Sequence, residues 1–394
     1  MWEYLWYALY AILAIVAIVL YFFYSRYKKY VKPEKIAGIP SPPLQHAQFG
    51  HPDLMLHPYR HELRLNVSEA AGAAPLHQLS LMKHNSVFIN SSKECANVLR
   101  DFPIKGMIYA GYRFDPTVPD IYASDGDEFT TRKKALVPAL ENMKLKDKRH
   151  IAELMSVLNA HAESGKPINV KEFFSYLAFD IVCESAFNYD LGAIAGTSIE
   201  GRELYQSLCT LTDAQATSGI YAIYDNPNAR KVGKEELDNA KSTWRKFIEK
   251  IQGYIRSSAE QYKAMNGELD SANNFAHALI KLSEDESKNI NYGEKEIISE
   301  IHQILRHGHE CVATMLCWLF YALHSNPAVR VEAEKSVKAH TPTAAEPYPE
   351  YLECTIKETL RRYIATGVCV CLSVFPSVYV LLLSHNISQL FPQR

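Results

Sequence analysis

The sequence predicts a mainly α-helical protein with a small β-rich lobe and one N-terminal transmembrane helix. Three observations lead to this fold class. An uncharged apolar run extends from Tyr4 to Tyr24, short segments with strand-like alternation occupy residues 77–90, and nearly everything from Glu128 to about residue 366 has helical periodicity with few Gly or Pro residues inside it. With 47% hydrophobic and 22% charged residues, the chain can form a globular core.

The N-terminal run has the length and composition of a membrane anchor, which we place at residues 1–25. A helix of 21 residues spans roughly 30 Å, the thickness of the hydrocarbon core of a bilayer. Aromatic residues cluster at both ends of the run, and five basic residues follow within positions 26–35, so the positive-inside rule places the body of the protein in the cytoplasm. A cleaved signal peptide fits less well, because no basic segment precedes the run and no small-residue cleavage site follows it.

A linker and the β-rich lobe follow the anchor. Residues 26–45 form the linker, in which the prolines of Ile39–Pro43 favour an extended connector. The segments His77–Met82 and Ser86–Asn90 alternate like two strands of a hairpin joined at Lys83–Asn85. Ser91–Glu94 then has the spacing of a capping box that opens a short helix.

The charge and the cysteines argue against two classes of protein. The net charge is −2, and no basic stripe with interleaved aromatic residues is present, so no nucleic-acid partner is expected. The eight cysteines are scattered, and none forms a C-x-x-C pair. This usage is typical of reduced, buried cysteines rather than of a disulfide framework.

The longest apolar pattern marks a helix through the middle of a domain. Helical periodicity predicts helices over Arg149–Ala162, Val170–Ala186, Glu235–Lys263 and Glu294–Ser325. The last of these is apolar on most sides, yet its centre carries Gly308, Glu310 and Cys311. A glycine costs about 1 kcal/mol inside a helix, and a buried carboxylate costs more unless it is satisfied. Such a local departure from the pattern is typical of a functional site.

Plainer interpretations of the same helix stay open. Glu310 has the spacing to pair with Arg306, four residues earlier, on a solvated stretch. His302 and His309 share a face but lie two turns apart, roughly 10 Å along the axis, and His307 points elsewhere. The three histidines therefore do not predict a metal site.

Two further helices carry charged residues at informative spacings. Asp125–Leu140 predicts a capped helix with a basic face, which includes Phe129 and Lys133. Tyr351–Tyr363 predicts an amphipathic helix in which Glu358 and Arg361 share one face and can form a charge-assisted pair. Each pattern taken alone is also found on ordinary solvated helices.

As a set, these segments resemble the cytochrome P450 family of haem-thiolate monooxygenases. The stretch Arg306–Val312 resembles the family's distal, oxygen-activating helix. By this resemblance, Gly308 opens space for dioxygen, and Glu310 and Cys311 occupy the proton-relay positions, where the family carries an acid followed by threonine. His307 replaces a small residue of the family pattern.

The same resemblance assigns roles to the other two helices. Phe129 and Lys133 stand at the positions of a Trp-x-x-x-Arg motif whose residues hold a haem propionate. Glu358 and Arg361 stand at the structural Glu-x-x-Arg pair that supports the haem-binding core. The resemblance therefore implies a haem cofactor and a P450-like domain over residues 46–366.

The cysteine loop that holds the haem iron in the family is not found after Arg361. The family's loop has the pattern Phe-x-x-Gly-x-Arg-x-Cys-x-Gly and supplies a thiolate. Cys369 and Cys371 lie 8 and 10 residues after Arg361, without the Phe, Gly and Arg of the pattern at matching offsets. The expectation is a domain that lacks its haem-ligand segment, so no metal ligand is assigned.

The composition changes after Thr366, and residues 367–394 form an apolar tail unrelated to the family. Gly367–Leu383 is uncharged, rich in Val, Leu and Ser, and interrupted by Pro376. It could be a second membrane segment, a buried pair of strands, or sequence translated from an intron or a shifted frame. The last interpretation is favoured, because the composition and the family pattern change at the same point.

The resemblance implies a function for the complete domain. Such a protein would oxidise a lipophilic small molecule with dioxygen, taking electrons from an NADPH-dependent reductase at the endoplasmic reticulum membrane. Without the ligand loop this chain is expected to be inactive as written, so its status as an enzyme stays open. The alternative is a non-catalytic, membrane-anchored helical remnant that binds or interacts, or a truncated gene product. Sterols, fatty acids and foreign compounds would all be compatible substrates.

Overall fold

The structure is a computed structural model. It describes residues 2–30, 35–46, 50–56, 63, 66–67, 74–81, 84–101, 115, 117–217, 230–285, 292–342 and 348–363. Residue contacts divide the chain into two compact units, which comprise residues 1–103 with 211–234 and residues 104–210 with 235–394. The tail from residue 364, with Cys369 and Cys371, lies outside the described residues.

Helix α1, Trp2–Tyr30, opens the first unit. The apolar run is thus helical, and the helix continues through the first basic residues that follow it. Apolar side chains along it are exposed, among them Ile12, Ile15 and Leu20. Within the part of the chain that the structure describes, no helix combines the length and hydropathy needed to cross a membrane, so the predicted transmembrane span is not confirmed.

The small β-rich lobe is an antiparallel hairpin in the first unit. Strands β1, Leu76–Leu81, and β2, His84–Ile89, pair so that Leu81 lies opposite His84. The predicted turn at Lys83–Asn85 is wrong by two residues, because Asn85 pairs with Ser80 and accepts a 2.5 Å hydrogen bond from its hydroxyl. Helices α2, Pro52–Leu56, and α3, Ser92–Asp101, flank the hairpin in sequence.

The capping-box prediction at the start of α3 is confirmed in part. The backbone N–H of Glu94 donates to the Ser91 hydroxyl at 3.4 Å, which satisfies one of the free donors of the first turn. The serine therefore fixes where α3 begins.

The remaining described elements are helices. They are α4 Gly126–Glu141, α5 Lys148–Ser164, α6 Val170–Phe187, α7 Ile199–Ala216, α8 Lys234–Asn266, α9 Phe275–Glu284, α10 Glu294–Ser325, α11 Pro327–Ala339 and α12 Glu350–Arg362. The four helices predicted from periodicity agree with α5, α6, α8 and α10 to within three residues at each end.

Helix α10 is the central element of the second unit. It packs along α6 and also contacts α9, α11 and α12. Apolar side chains at successive turns are inaccessible to solvent, among them Ile297, Ile301, Leu305 and Met315. The prediction of a buried helix through the middle of a domain is therefore confirmed.

Candidate functional site

The centre of α10 presses directly against α6. A Cβ atom added at Gly308 would lie 3.0 Å from Cγ2 of Val182, closer than nearly all real side-chain contacts. The glycine therefore lets two buried helices approach closely, and this packing alone explains a glycine inside a helix. Its role in admitting dioxygen stays a prediction.

The two predicted relay residues differ in their access to solvent. Glu310 is half-buried. Cys311, the next residue, is completely buried. Neighbouring helical residues point about 100° apart, so the carboxyl group can exchange protons with solvent while the thiol is shielded. This arrangement is compatible with an acid that takes up a proton at the surface of a closed core.

The histidines of α10 have separate partners rather than a common one. The Nε1–H of Trp244 donates to Nδ1 of His302 at 2.7 Å. His309 donates from Nδ1 to the Leu305 carbonyl oxygen at 2.7 Å and stacks on Phe179 with a 3.8 Å centroid separation. Burial lowers the pKa of His302 well below its ordinary value and that of His309 to about 3, so both rings are neutral at pH 7.

His307 fills the position where the family pattern has a small side chain. Its ring is buried and stacks on Tyr122 with a 4.2 Å centroid separation. The residue before Gly308 thus takes part in an aromatic stack, whereas Gly308 itself meets Val182.

A buried ion pair that the sequence did not reveal joins α4 to α10. Nη1 of Arg132 lies 2.8 Å from Oε1 of Glu300, and the two side chains are 1% and 0% exposed. The carboxylate also accepts the backbone N–H of Ile121 at 3.0 and 3.1 Å, and the guanidinium reaches Glu128 at 3.1 Å. The ring of Tyr292 covers the guanidinium, with its centroid 4.8 Å from Cζ.

Burial dominates the electrostatics of Glu300 but not those of Arg132. It raises the pKa of Glu300 to about 7, although Arg132 and the Ile121 N–H favour the carboxylate. Burial also opposes the charge of Arg132, but Glu300, Tyr292 and Glu128 outweigh it and raise the pKa of the guanidinium. The hydrogen bonds and the close packing therefore hold the two side chains together. Glu300 can bind a proton near neutral pH.

The same face of α10 contacts the segment that precedes α4. Gln303 donates from Nε2 to Oδ2 of Asp120 at 2.8 Å, and Asp120 accepts the N–H of Ala123 at 2.8 Å. Glu300, Gln303 and His307 have i, i+3, i+7 spacing, and each contacts one residue of the segment 120–122. Polar residues at this spacing on an otherwise apolar helix are the feature of the sequence that could have indicated a buried polar contact. The spacing does not show that residues 120–122 are their partners.

The predicted propionate residues lie together on α4. Nζ of Lys133 lies 5.9 Å from the ring centroid of Phe129, with the lysine exposed and the phenylalanine half-buried. Arg132 points inward at the adjacent position. The helix therefore directs one cation into the core and leaves the next one available to an external anion.

The predicted pair on α12 is formed. Nε and Nη2 of Arg361 donate to the two carboxylate oxygens of Glu358, each at 2.7 Å, with both side chains more than half exposed. The guanidinium lowers the pKa of Glu358. Beyond the pair, Tyr363 stacks on Trp318 at the end of α10 with a 4.6 Å centroid separation. The pair's supporting role stays a prediction.

The described residues fit a haem in part. Lys133 offers an exposed cation to a propionate, and α10 offers a half-buried acid beside a buried thiol. The family's iron ligand is a thiolate, whereas burial raises the pKa of Cys183 and Cys317 and favours their thiol forms. The propionate role of Lys133 stays a prediction.

Comparisons with known proteins give one consistent family. The model of the family described as Cytochrome P450 matches residues 40–370. Among curated proteins, LUTEIN DEFICIENT 5, chloroplastic, of Arabidopsis thaliana is 25% identical over 269 residues, covering 61% of this chain and 42% of that protein. Cytochrome P450 4V2 of Mus musculus is 24% identical over 280 residues, covering 66% and 50%. Cytochrome P450 3A56 of Fundulus heteroclitus is 24% identical over 297 residues, covering 69% and 55%.

The chain thus spans about half the length of the curated relatives it matches. Among solved structures, the haem domain of cytochrome P450DA superposes with a TM-score of 0.60 at 17% identity, covering 83% of this chain and 70% of that one. This likeness shows the fold, including a helical body and a small antiparallel sheet.

Proposed function

The chain belongs to the cytochrome P450 family, and from that premise we propose that its second unit is the scaffold of a haem monooxygenase for a lipophilic small molecule. Members of the family are in general haem monooxygenases, and haem is the cofactor that membership implies. The substrate, the electron donor and the activity of this particular chain are proposals.

The observation that carries the proposal is the ion pair between Arg132 and Glu300. It fixes α4, with Phe129 and Lys133, against α10, with the predicted oxygen-binding stretch. Glu300 precedes Gly308 by eight residues, roughly 12 Å along the helix axis. The two segments that the resemblance assigns to the haem are therefore held together by a contact that has no other evident function.

The chain's own residues have distinct tasks in this proposal. Lys133 binds a propionate through its ammonium group, and Phe129 positions the lysine stem. Glu310 takes a proton from solvent, and Cys311 is the next group of the relay, on the side of the core. When bound through a thiolate, haem would supply the activation of dioxygen. Because a thiol is a weaker hydrogen-bond partner than a hydroxyl, proton delivery through Cys311 would be slower than through threonine.

We further propose that the polypeptide as given does not complete this chemistry by itself. Neither Cys369 nor Cys371 stands in a family-like ligand loop. The buried stack of His307 on Tyr122 also fills the position where the family has a small residue, which favours the second candidate, a non-catalytic binding scaffold.

The proposal includes a membrane location. Exposed apolar side chains along α1 and the basic residues after the apolar run support attachment to a lipid surface, with the second unit in the cytoplasm. By family resemblance, the membrane is that of the endoplasmic reticulum and the partner is an NADPH-dependent reductase. Flotation of residues 1–394 with liposomes, compared with a variant lacking residues 1–25, tests the attachment; equal flotation would contradict it.

Haem reconstitution tests the scaffold. The full chain is titrated with haem, and the CO difference spectrum of the reduced complex reports whether a thiolate is bound. We expect haem to bind without the thiolate band and Lys133→Gln to weaken binding about fivefold, which corresponds to about 1 kcal/mol for an exposed charge pair. The neighbouring exposed cation supplies the matched control, Lys134→Gln, which should bind as the parent does.

Each result has a definite meaning. Absence of haem binding contradicts the scaffold proposal. A thiolate band with oxidation of a lipophilic substrate contradicts the proposed inactivity. Equal effects of the two lysine variants would remove the propionate role from Lys133.

A further inference from the structure

A buried histidine of α5 contacts α6. His150 is 0% exposed, and its Nε2 lies 2.7 Å from Oε2 of Glu184. Because a carboxylate accepts hydrogen bonds, Nε2 carries the proton in this contact. The neutral ring then presents a lone pair at Nδ1.

That lone pair faces two carboxylate oxygens. Nδ1 lies 3.5 Å from Oε2 of Glu153 and 3.9 Å from Oδ2 of Asp180. Neither Nδ1 of His150 nor Oε2 of Glu153 has a hydrogen-bond partner. Both separations exceed the 2.7–3.2 Å typical of N–H···O bonds, so the three atoms surround a small space without bonding across it. Three electron-rich atoms in such an arrangement can hold a cation between them.

The spacing of these atoms is that of a metal site. All three lie within 4.8 Å of one another. Zinc binds imidazole nitrogen and carboxylate oxygen at about 2.0–2.2 Å, which places tetrahedral ligands roughly 3.4 Å apart. The contact from Nε2 to Glu184 is the outer-shell carboxylate that orients a metal-binding histidine. We propose that His150, Glu153 and Asp180 bind a divalent transition-metal ion, with zinc the best chemical match, and that water takes the fourth position.

The charges around the cluster leave the three ligand atoms available. Arg149 binds the other oxygen of Glu153 at 3.1 Å, Glu184 at 2.8 Å and Asp190 at 2.9 Å. Its guanidinium therefore neutralises the outer carboxylates while Oε2 of Glu153 stays directed inward. Lys146 lies 3.9 Å from Glu184, on the same outer side.

Asp180 is held in place independently of any ion. Its two oxygens accept the backbone N–H groups of Ala193 and Ile194 at 2.8 and 2.9 Å. A carboxylate with two backbone donors is preorganised and retains lone pairs for a metal. A bound ion would thus join α5, α6 and the turn at residues 193–194.

A surface pocket borders the residues that surround the cluster. This pocket, of about 490 Å³, is lined by residues 143–149 and by Glu184. Glu153, at 24% side-chain exposure, is the ligand nearest to solvent. The ion would enter past these groups, and the open fourth position would face water.

Zinc titration of the full chain tests the site. Metal is removed with a chelator, and zinc is added in competition with a chromophoric chelator. We expect one zinc per chain, with a rise in Tm of about 5 °C at a hundredfold excess over Kd. Glu153→Gln removes one ligand charge and should weaken binding at least tenfold. His150→Gln keeps a donor for Glu184 but lacks Nδ1 and should abolish binding.

A matched control and a spectroscopic probe make the result decisive. Glu163→Gln, at an exposed position of the same helix, should bind zinc as the parent does. Co²⁺ in place of zinc should show no sulfur-to-metal charge-transfer band, because no thiol is a ligand. The His150→Gln variant could fail to fold because it changes a buried side chain. In that case the zinc affinity of Glu153→Gln is the test, since Glu153 is partly exposed and its substitution should leave the fold intact.

Three results would overturn the proposal. They are a parent chain without stoichiometric zinc, equal affinities of the parent and Glu153→Gln, and a thiolate band with Co²⁺. The first would leave the cluster without a metal ion, and the other two would place zinc elsewhere in the chain.

Discussion

Arg132 of α4 and Glu300 of α10 form an ion pair with a 2.8 Å separation from which solvent is almost completely excluded. A buried pair of this kind adds little net stability, because the cost of desolvating two charges offsets their attraction. It does fix the relative orientation of the helices that carry it.

Arg132→Met should destabilise the protein by about 3–5 kcal/mol at pH 8, because it leaves the Glu300 carboxylate buried without its counter-charge. The loss should be smaller at pH 5, where Glu300 is protonated. Urea unfolding at the two pH values measures both effects. Lys134→Met removes an exposed cation from the same helix and should change stability by less than about 0.5 kcal/mol. Equal losses at the two pH values would contradict the assigned pairing.

Glu300→Gln should remove a pH dependence of stability. The folded protein binds a proton at Glu300 with a pKa of about 7, compared with 4.5 for an ordinary glutamate. Between these values the folded state holds more protons than the unfolded state, so its stability falls as the pH rises. At about 1.4 kcal/mol per pKa unit, the parent should lose roughly 3 kcal/mol relative to the variant from pH 4.5 to pH 8.

The difference between the two unfolding free energies, measured across this range, isolates Glu300 from Asp120 and the other nearby titrating groups. A difference that is constant with pH would show that Glu300 stays ionised throughout.

Gly308→Ala should destabilise the protein by about 1 kcal/mol. The gain in helix propensity is about 1 kcal/mol, but the new methyl group meets Val182 at 3.0 Å, and overpacking of this kind costs about 1–3 kcal/mol. Adding Val182→Ala should recover part of the loss in a double-mutant cycle. At Gly253 of α8 nothing lies within 4 Å of the added atom, so Gly253→Ala should stabilise the protein by up to about 1 kcal/mol. Parallel effects at the two glycines would contradict the close contact of α6 with α10.

Trp244→Phe should cost about 2–4 kcal/mol. It removes the indole N–H that donates to His302 at 2.7 Å and leaves a void around a side chain that is 1% exposed. Trp318→Phe changes an exposed indole that stacks on Tyr363, so its cost should be near 1 kcal/mol. Thermal unfolding of both variants gives the comparison, and equal costs would count against a specific bond between Trp244 and His302.

The regular helices could be predicted well, while the contacts among them could not. Periodicity gave both ends of α10 because its apolar pattern is long and ends at polar residues on each side. The hairpin turn was misplaced because Asn85, a frequent turn residue, pairs within the ladder in place of forming the turn. The local sequence pattern therefore predicts the ends of an element correctly where that element is buried along its whole length.

The site could be predicted only where its residues are close in sequence. Glu358 and Arg361 lie three apart and form their pair. Arg132 and Lys133 are adjacent cations, and only the packing of α4 decides which is buried. His150 and Asp180 lie 30 residues apart in sequence, on two different helices. The local part of their cluster, His150 with Glu153 three residues later, is a spacing common on helices. Long-range pairing is set by tertiary packing, which spacing along one chain does not specify.

The stack of Tyr363 on Trp318 limits the reach of the chain beyond it. Tyr363 is held by this contact and by its N–H bond to the Thr359 carbonyl at 2.8 Å, so it acts as a fixed attachment point. Cys369 follows six residues later, which gives a contour length of roughly 20 Å. Gly308 precedes Trp318 by ten residues, roughly 15 Å along α10. A tether from Tyr363 to that stretch would take up more than half of this contour length.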